Sequence, residues 1–217
     1  MLIMKPCPGI RVQKIYIPSG ARRIPALVLS PEELSAPAAG VLWIHGGGYI
    51  SGMKEMVYIS RAVELVKSFG AVVVSPGYRL APFSPYPAAI DDCYAALLYM
   101  KEHAAELWVR EDQLMVGGES AGGGLCAAVC IKTRDTGEVN VAFQMPLYPM
   151  LDDRDTETSR DNHGRVWNTW KNHFGWRCYL RGTDREALPP YAAPARVENI
   201  EGLPPAYTFV STGEPFY

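Results

Sequence analysis

The stretch that decides the fold reads Leu114-Met115-Val116-Gly117-Gly118-Glu119-Ser120-Ala121-Gly122, and an alanine-rich segment, 125–131, follows it. The apolar residues favour a short buried strand, the glycines a tight turn, and the alanine-rich segment a helix. A serine at such a turn is typical of a nucleophile elbow. We expect glycine at 118 and 122 because the sharp turn leaves no room for Cβ atoms, or because it needs positive φ. The sequence therefore predicts that Ser120 is a nucleophile.

A second glycine motif, His45-Gly46-Gly47-Gly48, lies upstream of the elbow and directly follows the apolar run 41–44. Backbone N–H groups fixed in a glycine loop can stabilise the oxyanion that forms when a hydroxyl attacks an ester carbonyl. The alternative is a flexible glycine turn without a chemical role. Because the elbow follows in the expected order along the chain, the two motifs together favour acyl chemistry at a serine.

The composition is that of an ordinary globular protein: 217 residues, 48% hydrophobic and 20% charged, with a formal net charge of −2. This charge gives no electrostatic reason to expect a nucleic acid or an anionic membrane as partner. No apolar run is long enough to span a bilayer, and the N-terminus shows no secretory signal pattern. The five cysteines are dispersed, without zinc spacing, which predicts reduced core thiols in a cytoplasmic protein.

Short apolar strands alternate with amphipathic helices along most of the chain. Strands are predicted at 12–17, 24–29, 41–44, 71–74, 114–116, 139–148 and 207–210, the first two as edge strands. One helix is predicted from Ile59, Ala62, Val63 and Val66, and another from Ile90, Cys93, Leu97 and Leu98, ending near His103. This alternation predicts an α/β fold with a mostly parallel sheet and helices on both faces.

Residues 152–191 break the alternation, because this stretch has helical potential, many charges and no predicted strand. Its aromatic residues are Trp167, Trp170, Phe174, Trp176 and Tyr179. We interpret it as a small helical insertion over the carboxyl edge of the sheet, where open α/β sheets bind ligands. Its aromatic side chains either line a pocket for an acyl group or form the core of the insertion itself.

The motifs together resemble the hormone-sensitive-lipase-like family of α/β-hydrolases, which are carboxylesterases. The resemblance runs from about residue 28 to the C-terminus and rests on five segments: 45–48, 78–82, 87–92, 118–123 and 203–206. It implies a single α/β-hydrolase domain over 1–217 with the insertion 152–191 as a small cap. It also implies a small-molecule ester as substrate, no cofactor and no metal, and it allows a homodimer.

The resemblance further implies a role for each motif residue. Ser120 is the expected nucleophile, and the N–H groups of Ala121, Gly47 and Gly48 are the expected oxyanion donors, with Gly46 as a structural partner or third contributor. Tyr78-Arg79-Leu80-Ala81-Pro82 is expected to brace the glycine loop. Glu214, which precedes Pro215, matches the position of the acid that orients a histidine.

The sequence departs from the family pattern at two places. Gly77 stands where the family usually has aspartate, so a supporting hydrogen bond is expected to be missing. In addition, no histidine follows Glu214, whereas the order in α/β-hydrolases is serine, acid, histidine. We therefore expect a chain that lacks the C-terminal part of such a fold, has impaired turnover, and leaves apolar surface uncovered.

The four histidines present are His45, His103, His163 and His173. His45 belongs to the glycine loop, where a bond to the backbone is the favoured interpretation, and His103 ends a helix. His163 and His173 fall in the insertion, where surface or packing roles are favoured over a role as catalytic base.

The motifs favour a carboxylesterase for short-chain acyl esters, and other functions compete with it. An amidase or a deacetylase would use the same residues. A non-catalytic small-molecule binding protein on the same scaffold would explain the missing histidine, as in plant hormone receptors related to this family. A dinucleotide turn at 122–127 is disfavoured, since no acidic residue ends a second strand at the required distance.

Overall fold

The computed structural model describes residues 7–217, and these form one mixed sheet with helices on both faces. The strands are β1 (Ile10–Ser19), β2 (Arg22–Pro31), β3 (Ala38–Ile44), β4 (Val72–Pro76), β5 (Val109–Glu119) and β6 (Phe143–Leu147). The helices are α1 (Ala62–Phe69), α2 (Ala88–Glu102), α3 (Ala104–Leu107), α4 (Ala121–Thr136) and α5 (Thr169–Tyr179), with 3₁₀ turns at Lys54–Ile59 and Pro194–Arg196.

The sheet has the strand order β1-β2-β4-β3-β5-β6. The central and later strands, β4, β3, β5 and β6, run parallel, while β1 and β2 form an antiparallel hairpin and β2 pairs antiparallel with β4. The predicted α/β class and mostly parallel sheet are confirmed. Because β5 lies between β3 and β6, the elbow at its carboxyl end lies next to the glycine loop that follows β3.

Alternation along β3 divides the core between the two faces of the sheet. Leu42 and Ile44 face one side, where they pack with α2 and α4. Val41 and Trp43 face the other side, where they pack with α1 and β2. Helices therefore cover both faces, as the alternating sequence pattern predicts.

Three local predictions are wrong. Ile59 is 70% exposed and lies in the 3₁₀ turn, outside α1. Strand β2 is interior, so of the first two strands only β1 lies at an edge. Residues 207–210 form no strand. The only isolated bridge to β6 in the described residues joins Gln144 and Ala206, and hydrogen bonds from Tyr207 N to Gln144 O and from Tyr148 N to Phe209 O continue the contact. This segment pairs only partly with β6, and most of its side chains are exposed, so it lacks the packing that stabilises a strand.

The segment 152–191 contains one helix, α5, and turns. Trp176 and Tyr179 of α5 are buried, and the Tyr179 ring stacks on Tyr49 with centroids 4.0 Å apart. Trp170 and Phe174 stack on each other at the surface. The aromatic residues of the segment therefore divide between its attachment to the main domain and an exposed face.

Candidate active site

Ser120 stands between the end of β5 and the start of α4 with φ 57° and ψ −119°. Positive φ in a residue with a Cβ is strained, by about 1–3 kcal/mol, and persists only where surrounding contacts fix it. Here Ser120 N donates to Leu147 O at 3.0 Å, and Ser120 O accepts from Gly124 N and Met150 N, each at 3.0 Å. The chain after β6 and the first turn of α4 thus hold the serine in the geometry of a nucleophile elbow.

The glycines beside the serine are required for space. A Cβ at Gly118 would collide with the carbonyl oxygen of Gly122, and one at Gly122 would collide with Ile44 O and lie 2.5 Å from His45 O. Neither glycine has positive φ, so this part of the expectation is wrong: the positive φ falls on Ser120 itself. Close packing of the turn on the end of β3 is the physical reason for both glycines.

The glycine loop lies against the elbow. A Cβ at Gly46 would come within 2.9 Å of Glu119 O, and Gly47 and Gly48 have φ of 120° and 59°. The backbone N–H groups of Gly47, Gly48 and Ala121 donate no hydrogen bond to any acceptor within residues 7–217. Free N–H donors close to the Ser120 hydroxyl are what the predicted oxyanion hole requires.

His45 lies beneath the loop with only 2% of its surface exposed. Its Nδ1 lies 2.8 Å from Gly46 O, and a carbonyl can only accept, so Nδ1 carries the proton of the neutral ring. Nε2 is buried and has no partner in the described part of the chain. The ring stacks on Tyr78, whose hydroxyl donates to His45 O at 3.0 Å. Tyr78 therefore holds His45 at the start of the glycine loop through both its ring and its hydroxyl.

Burial lowers the pKa of His45 to about 4, and smaller effects of the Gly46 hydrogen bond, Glu55 and Lys54 partly cancel. The unfolded chain takes up this proton near pH 6.5 and the folded chain only near 4, so stability is lost as pH falls between these values. We expect a loss of about 3 kcal/mol in the free energy of unfolding over that range.

Urea unfolding at several pH values tests this expectation. His45→Gln should remove the loss of stability between pH 6.5 and 4 that His45 causes. His103 is half-buried and stacks on Tyr99, and His103→Gln should leave this loss unchanged. Equal pH slopes in both variants and the parent chain would contradict the assignment to His45.

Ser120 opens into a cavity of about 660 Å³. Its walls include the glycine loop, Glu214 and Trp167. The structure thus brings Ser120, Gly46, Gly47, Gly48 and Glu214 together around one space, with Ala121 buried directly behind the serine.

None of the histidines lines this cavity in residues 7–217. His103 Nδ1 lies 3.1 Å from Tyr99 O, His163 pairs with Asp161 at the surface, and His173 Nε2 lies 2.7 Å from Asp155 Oδ1. Their contacts agree with surface and packing roles. The base that a serine hydroxyl needs is not supplied by any of these side chains.

The cavity wall also includes Tyr148 and Glu119, for which the sequence predicts no role. Tyr148 follows β6 with φ 34°, and Glu119 precedes Ser120. Burial raises the pKa of Glu119, and burial together with the nearby Glu119 charge raises the pKa of Tyr148 to about 12. The rule that ligands bind at the carboxyl ends of parallel strands could have indicated Tyr148.

The sequence profile of the alpha/beta hydrolase fold family matches residues 41–217. This chain belongs to the alpha/beta-hydrolase family. Esterase LipI of Mycobacterium tuberculosis is 34% identical over 187 residues, which are 85% of this chain and 58% of LipI. Carboxylesterase NlhH of the same species is 33% identical over 216 residues, 95% of this chain and 66% of NlhH. These relatives confirm the resemblance to carboxylesterases, and this α/β-hydrolase chain spans less than two thirds of their length.

Solved structures agree with this assignment. A bacterial heroin esterase superposes on this α/β-hydrolase with a TM-score of 0.91 at 35% identity, covering 96% of this chain and 68% of that one. The gibberellin receptor GID1C of Arabidopsis thaliana is 28% identical over 208 residues, 88% of this chain and 58% of the receptor. The similar proteins thus include both esterases and a receptor.

The helices described between residues 7 and 217 include none long and apolar enough to cross a membrane. Over the same residues, no group of three or more histidine, cysteine or acidic side chains is arranged to hold a metal ion.

Proposed function

We propose that this chain carries the nucleophile, oxyanion donors and acid of a serine carboxylesterase for short-chain acyl esters. The observation that supports this most strongly is the strained Ser120 in one cavity with the free N–H groups of Gly47 and Gly48. Glu214 on the same cavity supports its role as the acid, and the esterase relatives support the class of substrate.

In the proposed reaction, Ser120 Oγ forms a bond to the ester carbonyl carbon while a base takes its proton. The bond to the alcohol oxygen then breaks, the proton passes to the leaving alcohol, and an acyl-enzyme remains. Water, activated by the same base, attacks the acyl-enzyme and releases the acid. The N–H groups of Gly47, Gly48 and Ala121 stabilise the negative oxygen in both steps, and Glu214 is the acid that would orient an imidazole base, which none of the described histidines supplies.

Turnover by residues 1–217 alone is expected to be impaired, because none of their described histidines reaches this cavity. General base catalysis contributes about 10²–10⁴-fold in rate, so Ser120 without a base retains only the help of the oxyanion donors. A small base from solution can replace part of the missing function, since the cavity of about 660 Å³ has room for an imidazole beside Ser120.

The test is intact mass spectrometry after exposure to a fluorophosphonate probe, with increasing imidazole and with Ser120→Ala as control. We expect slow labelling at Ser120 that imidazole accelerates about tenfold or more, and no labelling of the alanine variant. Fast labelling without imidazole would contradict the impairment. No Ser120 adduct in folded protein at any imidazole concentration would contradict the esterase proposal.

A non-catalytic small-molecule binding protein is the second candidate, favoured by the similarity to GID1C and by the absence of histidine from the cavity wall in residues 7–217. It predicts saturable binding of a small ligand without Ser120 labelling under any of these conditions. A free oxyanion loop beside a strained serine favours the esterase, since a binding protein needs neither.

We also propose a cytoplasmic location and a homodimer. All five cysteines are free, which suits a reducing compartment. Tyr207 and Phe209, next to the β6 edge, are largely exposed and give a second copy an apolar surface to cover.

A further inference from the structure

The indole of Trp167 lies directly on the glycine loop. A Cβ built on Gly48 would collide with the Cη2 atom of this ring and would lie 2.6 Å from its Cζ2 atom. On α5, a Cβ at Gly175 would lie 3.4 Å from the same Cζ2 atom and 2.8 Å from Gly48 O. The ring therefore lies against Gly48 in the predicted oxyanion loop, and a side chain at Gly175 in the cap segment would touch it.

The orientation of this ring is fixed from the cap side. Trp167 Nε1 donates to Asn172 Oδ1 at 3.4 Å, and Asn172 itself is only 3% exposed. The next residue, Asn168, caps α5 by accepting from Lys171 N at 3.0 Å, and Lys171 Nζ donates to Val166 O at 2.7 Å. The buried Asn172 holds the indole Nε1 atom, and the capped start of α5 holds the backbone on either side of Trp167. These hydrogen bonds fix the orientation of the indole.

Trp167 and Ser120 line the same cavity, so the indole limits the space for a group bound at the reacting carbonyl. We propose that Trp167 is the residue that restricts the acyl group to a short chain. The proposal rests on the proposed esterase function and adds its specificity determinant. Trp170, three residues along the same segment, is 70% exposed and does not line the cavity, so it provides a matched control.

The test compares labelling rates with fluorophosphonates that carry an ethyl or an octyl chain in place of the acyl group. In Trp167→Ala the octyl-to-ethyl rate ratio should rise about tenfold or more, because a steric limit of several methylenes is removed. Trp167→Phe should give an intermediate ratio, and Trp170→Ala should leave the ratio within about twofold of the parent chain. An unchanged ratio in Trp167→Ala, with labelling still at Ser120, would overturn the proposal while leaving the esterase function intact.

Binding without chemistry separates the two possible failures. In a Ser120→Ala background, calorimetry with the acetyl and octanoyl amides of p-nitroaniline measures the same preference independently of any base. Trp167→Ala should raise the relative affinity for the octanoyl amide about fivefold or more, with Trp170→Ala again unchanged. If Ser120 is never labelled but this shift in relative affinity occurs, the esterase proposal fails and the steric role of Trp167 is supported. If the relative affinity does not shift, the steric role of Trp167 is refuted.

Discussion

Gly122→Ala is expected to abolish the elbow and reduce fluorophosphonate labelling of Ser120, measured with imidazole present, by about 10²-fold or more. The new methyl group would collide with the backbone carbonyl of Ile44 and lie 2.5 Å from that of His45, and neither oxygen can move without displacing β3 or the glycine loop. Overpacking of this kind also costs about 1–3 kcal/mol of stability, and more where backbone must shift.

The control for this change is Gly137→Ala at the other end of α4. Gly137 has φ 68° and no atom within 4 Å of a built Cβ, so alanine there strains the backbone without any collision. It should cost about 1 kcal/mol and leave the labelling rate unchanged. Urea unfolding and intact mass spectrometry measure the two effects; a Gly122→Ala chain that labels at the parent rate would show that the elbow tolerates the methyl group.

Asp92→Ala is expected to lower the free energy of unfolding by about 3 kcal/mol, because it leaves the partly buried Arg79 guanidinium without its partner and removes the acceptor of Ser19. The Asp92 side chain is fully buried and accepts from Arg79 N, Nε and Nη2 at 2.9, 2.9 and 2.8 Å, and from Ser19 Oγ at 2.6 Å. One carboxylate thus connects β1, the segment after β4 and helix α2. Its loss should also disturb the neighbouring Tyr78, which contacts the glycine loop.

The adjacent Asp91→Ala provides the comparison for urea unfolding. Asp91 pairs with Lys132 at 3.1 Å, and its side chain is 44% exposed, so solvent screens the pair. Its removal should cost less than about 1 kcal/mol. If the two aspartate variants lost similar stability, the buried network would not have the importance assigned to it.

The sequence predicts most of the fold because the strands and helices near the site have strong local signals. The runs before the glycine loop and before the elbow are short and apolar, and both become parallel central strands, β3 and β5. The glycines at 118 and 122 are predicted by the crowding of a sharp turn, and their surroundings show that crowding. Local patterns of this kind carry their own physical reason and need no tertiary information.

The rest depends on contacts between distant segments. Ile59 matches the apolar spacing of α1, but a 3₁₀ turn ends just before the helix and leaves it exposed. Residues 207–210 are strand-like in composition, yet only one bridge forms with β6. The position of Trp167 over Gly48 requires the fold of the whole cap segment, which periodicity does not describe.

Two of the three backbone hydrogen bonds that hold Ser120 involve Leu147 and Met150, which lie after helix α4 in the chain and are synthesised later. A nascent chain that has left the ribosome only as far as α4 has no acceptor for Ser120 N and no N–H from residue 150 for its carbonyl. Since domains generally fold as units, we expect the strained conformation of Ser120 to form only when β6 has joined the sheet. We therefore expect Ser120 to acquire its positive φ late in the synthesis of the chain, after residue 150 has been added.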